Sequence, residues 1–106
     1  MTNKTVVVTG IGAITPLAAT ATETWDALLA GKSGITRIED PRFAALELPV
    51  EFAGQARHWI TDQLTRPETK RFDPSSQLSL IAAREAWADA GIDAESVVPE
   101  LSLIHI

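Results

Sequence analysis

The stretch Val6-Val7-Val8-Thr9-Gly10-Ile11-Gly12-Ala13-Ile14-Thr15-Pro16, followed by Trp25 and by Leu28-Leu29-Ala30-Gly31-Lys32-Ser33-Gly34-Ile35, decides how this chain is read. Three adjacent β-branched valines between polar neighbours, ended by Gly10, predict a strand over residues 4–9. A short run that is apolar on both faces is the pattern of a buried, parallel strand. Gly10, Gly12 and Pro16 then take the chain into a loop. Thr20-Ala21-Thr22-Glu23 has the spacing of a capping box, in which the Thr20 hydroxyl accepts from an early N–H and Glu23 reaches back to the Thr20 N–H. Trp25, Leu28 and Leu29 follow at i, i+3, i+4 and give one apolar face. A helix is therefore predicted over residues 21–30, with Gly31 at the C′ position that ends it.

Further along, residues 32–72 are mixed, because Pro41, Pro49 and Pro67 interrupt any long element. A short strand is expected over residues 50–53 and a helical turn or two over residues 58–64. Asp73-Pro74 is a strong helix start, since Asp caps and Pro suits the first helical position. On the helix that follows, Leu78, Ile81, Ala82, Glu85, Ala86 and Asp89 share one side, with Leu80, Ala83, Trp87 and Ala90 on the adjoining one. That wide apolar band predicts packing on more than one neighbour. Its alanines allow close approach, and Gly91 terminates it. Strand and helices together indicate an α/β class.

Composition narrows the function classes. With 106 residues, 45% hydrophobic and 22% charged, the chain suits one small domain, which at this size buries roughly 65% of its unfolded surface. A net charge of −5 argues against a general nucleic-acid binder, although Arg66, Lys70 and Arg71 lie close together. No cysteine is present, so these residues carry no disulfide, thiolate metal site or thiol nucleophile. No secretory signal or membrane span is expected, because three valines fall short of an apolar run of about 7–15 residues, and the cytoplasm is the default.

Two motifs imitate nucleotide sites. Gly10-Ile11-Gly12-Ala13-Ile14-Thr15 resembles G-x-G-x-x-G, but Thr15 stands where the third glycine belongs and no acid-ended strand follows at the required distance. It reads as a structural turn. Gly31-Lys32-Ser33 resembles the end of a P-loop, yet Asp26 replaces the required glycine and the motif follows a helix instead of opening one. His58 and His105 have no metal-ligand spacing, and the acids show no pairing specific to acid–base work. No cofactor, metal or catalytic residue is assigned. Trp25, Trp59 and Trp87 read as core or interface anchors. Arg66-Pro67-Glu68-Thr69-Lys70-Arg71 is the one exposed functional candidate. On composition alone it reads as a solvated charge group at a helix start.

Taken in order, these landmarks resemble the opening of the β-ketoacyl-acyl carrier protein synthases, the condensing enzymes of fatty-acid synthesis. Further matching stretches are Lys70-Arg71-Phe72-Asp73 and Ala82-Ala83-Arg84-Glu85-Ala86-Trp87-Ala88-Asp89-Ala90-Gly91-Ile92. The similarity extends over about residues 4–100 and is greatest to the bacterial type II synthases that extend acyl chains (synthase II), with mycolate-type elongating synthases as near kin. Ala18 departs from a frequent glycine. Leu101-Ser102-Leu103-Ile104-His105-Ile106 does not resemble the family, so the expected division is a partial amino-terminal synthase domain over residues 1–100 and a non-matching tail over 101–106, as from a truncated or misjoined reading frame.

The resemblance implies part of the amino-terminal half of a thiolase-like, layered αβαβα fold, usually in a homodimer. It implies a cysteine nucleophile and two assisting histidines, all later in the family's sequence than these residues, so neither His58 nor His105 fills those roles. It also implies acyl carrier protein as partner, with Arg66, Lys70 and Arg71 as docking candidates. The fragment itself is expected to be inactive and poorly soluble when alone. A non-catalytic subunit of the chain-length-factor type, from a polyketide system, is the alternative, and a free-standing nucleotide-binding module is a third reading weakened by Thr15 and Asp26.

Overall fold

Asp73 starts the longest element because its carboxylate accepts from the Ser76 N–H at 2.7 Å while Pro74 occupies the first turn, where no N–H is needed. In the computed structural model, which describes residues 3–56, 60, 62–93, 95, 97 and 98, this helix is the last of six elements among the described residues. They are α1 (Ala21–Leu29), β1 (Ile35–Arg37), α2 (Pro41–Ala44), β2 (Phe52–Gly54), α3 (Arg66–Arg71) and α4 (Pro74–Ala90). Gly91 ends α4 in the left-handed region at φ 65°, where a Cβ would be strained.

Helix α1 forms where its sequence predicts. Thr20 accepts from the Glu23 N–H at 3.2 Å, which is the Thr20 half of the expected box. The Ala21 N–H instead finds the Glu85 carboxylate, 64 residues away, at 2.8 Å. At the other end, the Lys32 N–H reaches Ala27 O and the Gly31 N–H reaches Leu28 O, both at 3.0 Å, with Gly31 at φ 70°. This pair of bonds is a Schellman motif. The Gly31-Lys32-Ser33 segment is thus the helix-terminating turn its sequence indicates.

The predicted strand over residues 4–9 is not formed. Val6, Val7 and Val8 are 93%, 67% and 80% exposed and lie in no ladder among the described residues. β-propensity describes how well a side chain suits a pleated, covered surface, and without a neighbouring strand it creates no pairing. The sheet that does form is antiparallel and two-stranded: Ile35 opposes Gly54, Thr36 opposes Ala53 and Arg37 opposes Phe52. Its second strand lies close to the one expected over residues 50–53. Its first strand is missed by sequence reading, as is α2, where Asp40 caps and Pro41 opens the helix. Within the segment expected to be a turn or two, Gln63 N–H bonds Ile60 O at 3.1 Å, and residues 57–59 and 61 lie outside the described ones.

Pro16 ties the hairpin to the rest. A Cβ added at Gly34 would sit 2.8 Å from the Pro16 Cβ, and one at Gly54 2.9 Å from its Cγ. The buried apolar residues among those described are few, namely Ala18, Ala27, Ile60 and Ile81. Trp25, on the apolar face of α1, is 60% exposed. The radius of gyration, 17.8 Å, compares with about 13 Å for a compact domain of this length. Helices and a small sheet coexist, as the α/β class requires, but they enclose little core. No helix among the described residues is long and apolar enough to cross a membrane.

Candidate functional site: the α3–α4 corner and the glycine strip

Two polar constructions on α4 bear on function. The first is the corner between α3 and α4. The sequence places Arg66, Lys70 and Arg71 at the start of the long helix, whereas the structure gives them a separate six-residue helix. Pro67 does not break it, because position N1 or N2 has no N–H to lose. Thr65 and Glu68 form a complete capping box: Thr65 N–H donates to the Glu68 carboxylate at 2.9 Å, and Glu68 N–H donates to the Thr65 hydroxyl at 3.5 Å.

Arg66, Lys70 and Arg71 are all exposed, and none of the three is ion-paired with a described residue. Lys70 and Arg71 occupy the last turn of α3, where the helix dipole favours cations. Arg71 also stands 6.0 Å from the centroid of the Phe72 ring. The acid in the same segment, Glu68, is taken up by the Arg84 guanidinium in a bidentate pair. That guanidinium and the Thr65 N–H hold the Glu68 carboxyl down to about 2. The three cations predicted from sequence are therefore brought onto one short helix, with their neighbouring acid already neutralised.

The second construction holds the glycine strip. A Cβ added at Gly12 would lie 1.9 Å from Ala82 O, and one at Gly10 2.3 Å from Ala86 O and 2.7 Å from Ala90 N. The Ile11 N–H donates to the Asp89 carboxylate at 3.0 Å and the Ala13 N–H to the Glu85 carboxylate at 2.8 Å. The match is metrical: two residues of extended chain advance about 6.7 Å, and four residues of α-helix about 6 Å. Gly10 and Gly12 therefore meet successive alanines, and the intervening N–H groups meet successive acids.

This geometry corrects the reading of these glycines as a turn: the segment is extended and lies flat on a helix. Thr15, in the place of the fingerprint's third glycine, makes the turn, its hydroxyl accepting from the Leu17 and Ala18 N–H groups at 3.1 and 3.3 Å. Nor does the strip cradle phosphate, since its glycines face the backbone of α4. Glu85 and Asp89 border an open groove of about 600 Å³ with Ile11, Trp25 and Ala88. Both carboxylates accept backbone N–H groups, which is a structural use and not a general acid–base one.

Sequence reading missed the roles of Glu85, Asp89, Arg84 and Gln77. The only available signal was their placement: Glu85 and Asp89 sit at i, i+4 on the same helical side as Ala82 and Ala86. His58, Trp59, His105 and the tail over 101–106 lie outside the described residues.

Comparison with known proteins converges on one family. The model of the beta-ketoacyl synthase N-terminal domain matches residues 3–102. A 3-oxoacyl-[acyl-carrier-protein] synthase 2 of Mycobacterium leprae is 40% identical over 86 residues, which is 81% of this chain and 20% of that protein. The enzyme of the same name from Mycobacterium tuberculosis is 40% identical over 86 residues, 81% of this chain and 21% of that protein. That of Staphylococcus aureus is 37% identical over 92 residues, 86% of this chain and 22% of that protein. The chain spans about a fifth of the length of these relatives. The glycine strip, the Gly31 turn and the Asp73-Pro74 start all fall within the matched span, and the chain belongs to the beta-ketoacyl synthase N-terminal domain family.

Proposed function

We propose that these residues are the leading portion of a β-ketoacyl-acyl carrier protein synthase that elongates fatty acyl chains by decarboxylative Claisen condensation. The observation that carries this reading is the family match over residues 3–102, supported by relatives named 3-oxoacyl-[acyl-carrier-protein] synthase 2. In the reaction, a cysteine thiolate attacks the acyl thioester and expels the carrier protein's thiol. Malonyl-carrier protein then loses CO₂, and its carbanion attacks the enzyme-bound thioester. A carbon–carbon bond forms, the carbon–sulfur bond breaks and the thiolate is regenerated. Two histidines and an oxyanion hole assist the charge development. None of these groups belongs to the 106 residues, which contain no cysteine.

The part assigned to this portion is scaffold and docking. The layered thiolase-like arrangement, in a homodimer, would cover the exposed valines and Trp25. Arg66, Lys70 and Arg71 are the surface for an acidic acyl carrier protein, since exposed cations steer encounter and fix orientation more than they add affinity. A second reading is a non-catalytic subunit of the chain-length-factor type, distinguished by the residue at the downstream nucleophile position.

The test is made on the protein that carries residues 3–102 at its head. Acyl- and malonyl-carrier proteins are expected to yield 3-oxoacyl-carrier protein and CO₂, and a cysteine is expected at the nucleophile position of the downstream sequence. Glutamine in that place would favour the second reading. A cysteine-bearing protein that binds both carriers and releases no CO₂ would overturn the first.

A further inference from the structure

We propose that Arg84 and Gln77 are positioning residues that set the orientation of α3 for carrier-protein docking, an inference that rests on the docking reading above. A six-residue helix is far too short to be stable by itself. α3 contributes no buried residue, so apolar packing does not aim it. What holds it against α4 is a polar tie at each end.

At the leading end, Glu68 closes the capping box and simultaneously receives the Arg84 guanidinium from the middle of α4. Its carboxyl is held down to about 2, so the tie persists at any physiological pH. At the trailing end, Gln77 is 7% exposed, although glutamine is ordinarily a surface residue. Its side-chain amide donates to Thr69 O at 2.9 Å and to Phe72 O at 2.8 Å. These carbonyls flank Lys70 and Arg71 in the chain, so the backbone bearing the two cations is held on both sides.

A rigid docking helix loses less conformational freedom when a partner binds than a loose one. It also keeps the two charges at a fixed spacing, which is what orients an encounter complex. Without the two ties, the same charges would remain but their geometry would not.

The experiment uses the intact synthase with acyl-carrier protein and, separately, the small thioester acyl-pantetheine as donor. The Arg84→Met/Gln77→Met variant is expected to raise KM for the carrier-bound donor about tenfold and to leave kcat and all acyl-pantetheine parameters unchanged. Arg84→Lys, which keeps the ion pair, is expected to recover most of the loss in the Gln77 wild-type background. Glu68→Gln/Arg84→Met keeps the net charge of α3 and α4 together but lacks the pair, and is expected to stay weak.

Three results would overturn the inference. One is an unchanged carrier KM in the double variant while Lys70→Glu/Arg71→Glu raises it. The second is an equal loss with both donors, which marks a general structural role. The third is full recovery in Glu68→Gln/Arg84→Met, which would make Arg84 a charge neutraliser only. A carrier KM untouched by Lys70→Glu/Arg71→Glu would instead remove the docking reading itself.

Discussion

The α3–α4 corner and the glycine strip are both fastened to the same helix by side chains bonding to backbone, yet they were assembled from very different distances along the chain. In the corner most partners are close: Thr65 and Glu68 are 3 residues apart, Gln77 and Thr69 are 8 apart, and Arg84 and Glu68 are 16 apart. In the strip, the bonded pairs are separated by 72 and 78 residues. Local partners leave a spacing that sequence displays. Distant ones leave residue types without an address. The two regions also fail differently, because the corner has only polar ties to lose, whereas the strip has a steric constraint beneath its hydrogen bonds.

The largest effect should come from that constraint. Gly12→Val places a Cβ 1.9 Å from Ala82 O, a backbone atom that has no rotamer to yield. The strip must lift off α4, and a loss of about 3 kcal/mol or more is expected, read as the midpoint shift in chemical denaturation. A variant as stable as the parent would mean the strip is not seated on the helix. Next, Glu85→Ala strands the Ala13 and Ala21 N–H groups together, for about 2–3 kcal/mol by the same measurement. Glu85→Gln, which keeps one acceptor oxygen, should cost about half of that.

The corner should respond more weakly. Gln77→Ala leaves the Thr69 and Phe72 carbonyls without their donor, and about 1–2 kcal/mol is expected. Amide exchange should rise in α3 and not in α1, which separates a local loosening from a general one. Smallest is the response to acid. The Glu68 carboxyl is depressed from 4.5 to about 2 by Arg84 and the Thr65 N–H, and that of Asp73 is also lowered, by the Ser76 N–H. A carboxyl whose pKa is lower in the folded protein stabilises it fully above the unfolded value. That contribution is lost as pH falls from about 4.5 towards 2. Glu68→Gln should flatten the stability curve in that window and Asp73→Asn below its unfolded value of 3.8, each through a small loss of stability at pH 7 that disappears in acid. An unflattened curve would show that other carboxylates carry the acid sensitivity.

How much was legible follows the same division. The boundaries of α1 and α4 were readable because Thr20, Gly31, Asp73, Pro74 and Gly91 act on their immediate neighbours. The cations proposed for docking were readable as a cluster, since Arg66, Lys70 and Arg71 fall within six residues of sequence. Their mounting was not, because Arg84 and Gln77 declare nothing about α3 until the helices meet. The valines misled for a related reason: Val6, Val7 and Val8 describe a strand that needs a neighbour, and among the described residues none lies beside them.

What the sequence by itself determined is therefore the family, the ends of α1 and α4 and the types of residue on their faces. Each depends on interactions within a turn or two of chain, or on landmarks that need only their order. Only the tertiary structure decided that Gly10 and Gly12 admit a helix and not a phosphate, and that Glu85 and Asp89 serve backbone N–H groups and not a proton transfer. It also decided that the charged segment over residues 66–71 is a separate helix held at both ends. These outcomes turn on which distant surfaces come within hydrogen-bond reach, and a linear pattern contains the groups but not their separation.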